Sequence, residues 1–172
     1  NRANMTPIPK PDVYNADEYR SLIDDIKEDR LTGRHRGEMA FDGIGRIVNM
    51  VMLPNGKTDA NNQHLAFIST DLPEENRPWP TAGWKWRDRF AKRLRSYTLG
   101  LLWFAQNDPR LPEEFRTNAS KWGLAADEYQ DNGNFPRQVY VREGRRIEGE
   151  HLFTAHDAIP VAGKVRPPLY AD

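Results

Sequence analysis

The chain has 172 residues, enough for one domain with a sizeable core and too few for two ordinary domains. Its 25 Lys and Arg residues balance its 25 Asp and Glu residues, so it lacks the net positive charge on which a general nucleic-acid binder depends. It has no cysteine, which excludes disulfides, thiolate metal sites and a cysteine nucleophile. No run approaches the roughly 20 apolar residues of a membrane helix, so we expect a soluble chain of undetermined compartment.

Helical periodicity begins after an entry segment held extended by prolines. Asn15 is placed to cap this helix, which should end near Gly33. Its predicted apolar stripe consists of Tyr19, Leu22, Ile23 and Ile26. Short β-like runs at 38–41 and 46–53 then predict a hairpin or meander, followed by a turn. Residues 57–80 are mostly polar and predict a long loop with one brief strand.

The second half of the sequence is dominated by a long predicted helix from Thr81, its cap, to Asn107. Its last part, 99–105, is apolar nearly all round and should be enclosed by other structure. A shorter helix is predicted from Pro112 to Gly123. These elements predict an α+β fold in one domain or partial domain over residues 1–172. It would have a small, mainly antiparallel sheet, one long helix and two or three shorter ones.

The segment 134–150 places four arginines around an alternating, aromatic strand pattern. The alternation predicts that Val139 and Val141 face a core while Gln138, Tyr140 and Arg142 face the other way. Planar guanidinium groups beside a tyrosine suit an anionic or strongly polar ligand. The alternative is a solvated strand whose arginines pair with glutamates.

Arg145 and Arg146, two of these four arginines, follow a glycine directly after the strand pattern. A second candidate site is the polar run 57–62, whose side chains can donate and accept in several directions. The alternative is that its Asp and Asn residues only satisfy turn geometry. The four histidines form no metal-ligand pair at helical spacing, so no metal site is predicted.

Motifs for nucleotide phosphates are absent from the sequence. Gly43-Ile44-Gly45 has the first two glycines of a dinucleotide loop, but Val48 stands at the third glycine position and a strand follows. The three neighbouring tryptophans Trp79, Trp84 and Trp86 could stack on a flat ring or a sugar, although tryptophans at a helix entry more often anchor packing.

Taken in order, several short stretches resemble bacterial FAD-dependent oxidoreductases of the glutathione-reductase-like flavoprotein group. The matching stretches are Pro7-Ile8-Pro9-Lys10-Pro11, 57–62, 67–71, Trp79-Pro80, 97–104, Asn107-Asp108-Pro109-Arg110, Trp122-Gly123-Leu124 and 136–147. The resemblance covers almost the whole chain, and the order and spacing of the stretches make it more specific than any one of them.

The resemblance implies an interior, substrate-side or cap segment of a longer flavoenzyme. The family's phosphate-binding glycine loop and its second flavin-contacting stretch are not found in this sequence, so we expect the isolated chain to bind FAD poorly or not at all. The intact enzyme would transfer a hydride between a small polar substrate, sugar-like or anionic, and the flavin. The implied partners are that substrate and the remainder of the flavoprotein chain.

The expected site residues combine this resemblance with the alternation at 138–143. They are Tyr140 and Arg142 in catalysis, Gln138, Arg145 and Arg146 in substrate binding, and Asp59, Asn61 and Asn62 in cofactor binding. A non-enzymatic module that binds carbohydrate or anions through the tryptophans and arginines is the alternative function. A purely structural interaction domain is the third.

Overall fold

The computed structural model describes residues 4–28, 43–62, 68–141, 144–145 and 147–154. Its elements, in chain order, are β1 (Met5–Thr6), α1 (Arg20–Lys27), β2 (Val48–Leu53), β3 (Lys57–Asn62), α2 (Trp84–Asn107), α3 (Glu113–Ala119) and β4 (Leu124–Ala125). β1 pairs with β4 and β2 pairs with β3, both antiparallel. The described part of the chain therefore has the predicted α+β architecture, with three α-helices and small antiparallel sheets.

The first helical region begins at Asn15, as predicted. The Asn15 side chain accepts a 3.0 Å hydrogen bond from the backbone N–H of Asp17, and a 3-10 turn leads directly into α1. The predicted stripe is confirmed, because its members lie in the core or pack against it. The predicted end is wrong, since α1 ends at Lys27 and Gly33 lies outside the described residues. After Ile26 the sequence has no apolar residue until Leu31, so a further turn would have little to bury.

The hairpin formed by β2 and β3 corrects the prediction of a loop over 57–80, because residues 57–62 form a strand. The register pairs Val48 with Asn62 and Leu53 with Lys57. β3 is polar throughout and gives no alternation signal, but the turn before it fixes the pairing: Asn55 and Gly56 both have positive φ, as tight hairpin turns require. The run at 38–41 predicted to pair in this region lies outside the described residues.

α2 runs from Trp84 to Asn107, so its predicted end is confirmed, and the predicted cap at Thr81 lies two residues before the position that the observed start of the helix requires. The N–H groups of Thr81 and Ala82 both donate to the carbonyl of Pro78, which makes a separate turn before the helix. Gly83 is consequently the cap. The apolar end of α2 is enclosed as predicted, with buried residues that include Leu99, Leu101, Phe104 and Ala105.

α3 starts after Pro112, as predicted, and buries Phe115 and Ala119. It ends at Ala119 and not at Gly123, so Gly123 is not the helix stop that the sequence suggested. Its lack of a side chain has another reason. A Cβ at position 123 would lie 2.4 Å from the backbone oxygen of Thr6, so only glycine allows β1 to approach this closely.

The segment 138–141 belongs to no helix or strand and pairs with no strand among the described residues, so the predicted strand there is wrong. The alternation itself is present, because Val139 and Val141 are partly buried while Gln138 and Tyr140 are exposed. Alternation of apolar and polar residues predicts a segment with two different faces. It does not show whether a neighbouring strand is present to form backbone hydrogen bonds with that segment.

Candidate functional site

The main concavity of the described structure is a cavity of about 830 Å³ between α2, the β2–β3 hairpin and the segment 122–140. One face of α2 forms its floor. The helical residues that line it are Ala91, Lys92, Leu94, Arg95, Thr98 and Leu102, spaced by three or four positions as one helix face requires. Apolar side chains make much of the remaining wall, among them Ile44, Val48, Met50 and Leu53.

Lys57, the first residue of β3, ties the hairpin to the opposite wall of the cavity. Its Nζ lies 2.9 Å from the Asp127 carboxylate and also contacts the Glu128 carboxylate. Hydrogen bonds to these two acids raise the pKa of Lys57, and the bond from Lys57 lowers the pKa of Asp127. Lys57 therefore stays charged and holds two acids next to the cavity.

A second cross-link joins α2 to the same wall. Arg95 donates from Nη1 to the side-chain oxygen of Asn132 at 3.0 Å and from Nη2 to the backbone oxygen of Asn132 at 2.9 Å. The guanidinium also lies over the ring of Phe135, with 5.4 Å to the ring centroid. The turn around Asn132 is thereby fixed against the helix.

Asn134 organises the backbone of this wall. Its Nδ2 donates to the backbone oxygens of Ala126 and Glu128, at 3.1 and 2.8 Å, and its Oδ1 accepts from the Thr6 hydroxyl at 3.0 Å. Asn134 has φ of 60° and Tyr129 has φ of 46°, both in the left-handed region. Such conformations persist where surrounding contacts hold them, and they concentrate at functional sites.

The structure separates the three predicted cofactor-binding residues. Asp59 lines the cavity. Asn62 does not, because its Oδ1 accepts from both the backbone N–H and the hydroxyl of Thr70, at 2.7 and 2.6 Å. Asn61 accepts from the N–H of Asn62 and also lies outside the cavity lining. For these two asparagines the contacts match the alternative reading, in which they satisfy local backbone geometry.

The predicted residues of the 138–146 stretch are also separated. Gln138 and Tyr140 line the cavity, and Tyr140 is 53% exposed. Arg145 does not line it, because its Nε donates 2.8 Å to the backbone oxygen of Pro80, before α2. Arg142 and Arg146 lie outside the described residues.

Two of the three tryptophans near the start of α2 are packing residues. The rings of Trp86 and Phe90 are stacked at 5.3 Å, and Trp79 meets both rings edge-on. Trp84 differs, because it is 76% exposed with the Arg87 guanidinium over its ring.

Several cavity residues escaped the sequence reasoning. Arg95 and Asn132 line the cavity but belonged to neither candidate site, whereas Lys57 and Asn134 fell within the candidate runs 57–62 and 134–150 without being given a role of their own. One usable signal was present: Arg95 and Thr98 place polar groups among the apolar residues of α2. Another was the Asn-Gly-Asn run at 132–134, which is typical of left-handed backbone.

The family model for FAD dependent oxidoreductases matches residues 4–166, almost the whole chain. The chain belongs to the FAD-dependent oxidoreductase family. No curated protein and no solved structure matches it. The family assignment establishes a flavin-linked redox function.

The cavity fits the ring end of FAD better than its phosphate end. A flavin ring is flat, with an apolar dimethylbenzene end and a polar end of nitrogen and oxygen atoms, and the cavity offers apolar walls together with hydroxyl and amide groups. Among the described residues no glycine-rich phosphate cradle is formed, because Gly43 and Gly45 belong to a 3-10 turn that leads into β2.

The described ranges contain neither a candidate membrane span nor a candidate metal site. No helix there combines the length and apolar character needed to cross a bilayer. Nor do His, Asp and Glu side chains gather there in a group of three or more that could hold a metal ion.

Proposed function

We propose that this chain forms the substrate side of a FAD-dependent oxidoreductase and that its cavity holds a small polar substrate during hydride transfer with the flavin. The observation that carries the proposal is the convergence of Asp59, Gln138 and Tyr140 on one cavity from distant parts of the sequence. The remainder of the flavoprotein would supply the phosphate-binding elements. The isolated chain would then bind FAD weakly.

The bound flavin would supply a two-electron acceptor for a hydride from a substrate carbon. The chain's own part is to bind and orient that substrate. Apolar residues on the α2 face and β2 limit the access of water, and the Gln138 amide provides both a donor and an acceptor for substrate oxygens.

When a substrate alcohol is oxidised, its carbon loses the hydride and its hydroxyl loses a proton. We assign the passage of that proton to water to the partly exposed Tyr140 hydroxyl.

Arg142 and Arg146 enter this proposal as clamps on substrate oxygen atoms, with Arg142 close to the reacting group. Their support is the sequence: Arg142 alternates with Gln138 and Tyr140, both of which line the cavity. Arg145 has a weaker claim, since its guanidinium contacts the Pro80 carbonyl outside the cavity lining. The Arg145 contact supports a role in holding the 138–145 segment against the start of α2.

Anaerobic bleaching of the flavin tests the proposal. The full-length flavoprotein, loaded with FAD, is mixed with polyols, sugars and hydroxy acids, and loss of the yellow absorbance is followed. We expect one of these classes to bleach the flavin, and Tyr140→Phe and Gln138→Ala to slow bleaching by roughly tenfold or more. Gln130→Ala is the control, because this exposed glutamine lies outside the cavity lining. Equal slowing of bleaching in all three variants would contradict the proposal that the cavity binds the substrate during hydride transfer.

The second candidate is a non-enzymatic module for carbohydrate or anions, and the exposed Trp84 ring beside Arg87 favours it. This candidate predicts that the full-length protein, with the sequence that flanks this chain, is colourless and retains affinity for glycans. Trp84→Ala would abolish that affinity under the module reading. Under the oxidoreductase reading the same change would leave flavin bleaching unaffected.

A further inference from the structure

We infer that the cavity selects an uncharged, polyhydroxylated substrate, a sugar or polyol, over a carboxylate or phosphate of the same size. The inference rests on the proposed function, because it names the substrate class of the same cavity. The inference depends on which polar groups of the cavity wall already have partners within the chain. The remaining groups are the ones available to bind a ligand.

In the part of the chain that the structure describes, four basic residues line the cavity, and three of them are held by partners. Lys57 contacts two carboxylates, Arg95 is bound by the side chain and backbone of one asparagine, and Arg137 pairs with Asp131. An anionic ligand would have to break these contacts to recruit any of the three cations. These three cations are therefore less available than unpaired cations to bind a carboxylate or phosphate.

The lining acids show the same pattern. Glu128 is occupied by Lys57, and Asp71 also has interactions within the chain. The lining side chains that make no hydrogen bond or ion pair within the described structure are Thr58, Asp59, Lys92, Thr98, Tyr129 and Gln138. They comprise three hydroxyls, one amide, one carboxylate and one ammonium group, so the free groups that the described residues offer a ligand carry no net charge.

This set of free groups matches the chemistry of a neutral polyol. Hydroxyls and an amide can each donate and accept, as several substrate hydroxyls require. The aromatic residues Tyr129 and Tyr140, each about half exposed, also line the cavity, and aromatic surface of this kind suits contact with the C–H surface of a sugar. For an anion, the attraction of Lys92 is opposed by the charge of Asp59, and burial of an unpaired carboxylate is unfavourable.

Matched pairs of glycosides test this inference by direct binding, without any turnover. Methyl glucoside, galactoside and mannoside are each compared with the corresponding methyl uronide, which differs only in a carboxylate for a CH₂OH group. Affinities are measured by calorimetry on the FAD-loaded protein in phosphate-free buffer. In at least one pair we expect the neutral glycoside to bind about tenfold more tightly or better. Equal or tighter binding of the uronide in every pair that binds, or no binding of any glycoside, overturns the inference.

Variants assign the selectivity to named groups. Gln138→Ala should weaken binding of the neutral glycoside by about fivefold, the loss of one typical hydrogen bond. Asp59→Asn should raise uronide affinity by a similar factor of about five, because it removes the opposing charge. Gln130→Ala is the matched control and should change neither affinity. If Asp59→Asn leaves the selectivity between the two ligands unchanged, Asp59 is not its source and the charge argument fails.

Binding and bleaching separate this inference from the proposed function. A neutral glycoside that binds with the predicted selectivity but never bleaches the flavin supports the substrate class and contradicts the oxidoreductase role of the cavity. A uronide or hydroxy acid that binds more tightly and bleaches the flavin, with slowing in Tyr140→Phe, supports the oxidoreductase role and overturns the inference.

Discussion

The hydroxyl of Tyr19 donates a 3.1 Å hydrogen bond to the backbone oxygen of Tyr97, in the middle of α2. Tyr19 is only 1% exposed, and its ring also packs against Tyr97 and Phe104. This contact fixes the first helical region against the long helix, one face of which forms the cavity floor. Its close fit depends on Gly100, because a Cβ there would lie 2.2 Å from the Tyr19 hydroxyl oxygen.

Gly100→Ala should therefore lower the free energy of unfolding by roughly 1–3 kcal/mol, the usual cost of overpacking, despite the better helix propensity of alanine. Tyr19→Phe alone should cost about 1 kcal/mol through the lost hydrogen bond. In the double variant the oxygen that would clash is gone. The double variant should therefore be destabilised by less than the sum of the two single-variant costs. Urea denaturation of all four proteins measures this coupling. Strict additivity would mean that the alanine does not meet the hydroxyl.

Burial raises the pKa of Tyr97 to about 12, from an ordinary value of 10.0. Between these values the unfolded chain has lost the proton that the folded chain keeps, so stability should fall as the pH rises from about 10 to 12. Tyr97→Phe should reduce that slope by up to roughly 1.4 kcal/mol per pH unit. Denaturation at pH values across this window tests it, with the exposed Tyr140→Phe as control. Equal slopes in the two variants would contradict the assignment.

The Asp108 carboxylate accepts three hydrogen bonds from Arg110, one from its backbone N–H and two from its guanidinium, at 2.8–3.0 Å. Hydrogen bonding by Arg110 lowers the pKa of Asp108 below its ordinary 3.8. The stability that this provides is complete above that value and is lost as the pH falls through the lowered pKa. Asp108→Asn should cost about 1–3 kcal/mol at neutral pH and flatten the decline of stability in acid. An unchanged acid profile would exclude Asp108 as its source.

Asn134 combines a left-handed backbone with three side-chain hydrogen bonds. Asn134→Gly keeps the backbone conformation accessible and removes only the hydrogen bonds, whereas Asn134→Ala imposes both losses. Alanine should therefore destabilise the protein by roughly 1 kcal/mol more than glycine. Thermal denaturation measures the difference. If the two variants are equally stable, the left-handed conformation of residue 134 is not a constraint in solution.

Local signals made much of the helical framework predictable. The Asn15 cap, the stripe of α1, the end of α2 and the start of α3 all follow from caps, prolines and a period of 3.6 residues. Such signals involve neighbours in sequence, so one sequence is enough to read them. The polar strand β3 was missed because turn geometry and pairing with β2 determine it, and its own side chains carry no alternation.

The candidate site was only partly predictable, for the same physical reason. Asp59, Gln138 and Tyr140 were expected and do line the cavity. The contacts that form its wall join residues far apart in sequence, as when the hydroxyl of Thr6 reaches Asn134 or Lys57 reaches Glu128. Such pairs cannot be predicted from any pattern among neighbouring residues in the sequence. The roles of the expected residues in binding and catalysis therefore stay predictions to be tested by the variants above.

The central claim is that the cavity lined by Gln138 borders the flavin and the substrate, and thiol protection tests it most directly. The sequence has no cysteine, so Gln138→Cys and Glu113→Cys each introduce a unique thiol into this chain, inside the cavity lining and on exposed α3 respectively. Modification of the peptide that carries each new thiol is followed by mass spectrometry in the full-length flavoprotein, without FAD and loaded with FAD. We expect FAD to slow modification at residue 138 by roughly tenfold or more and to leave residue 113 unaffected. Equal rates at residue 138 with and without FAD would contradict the claim.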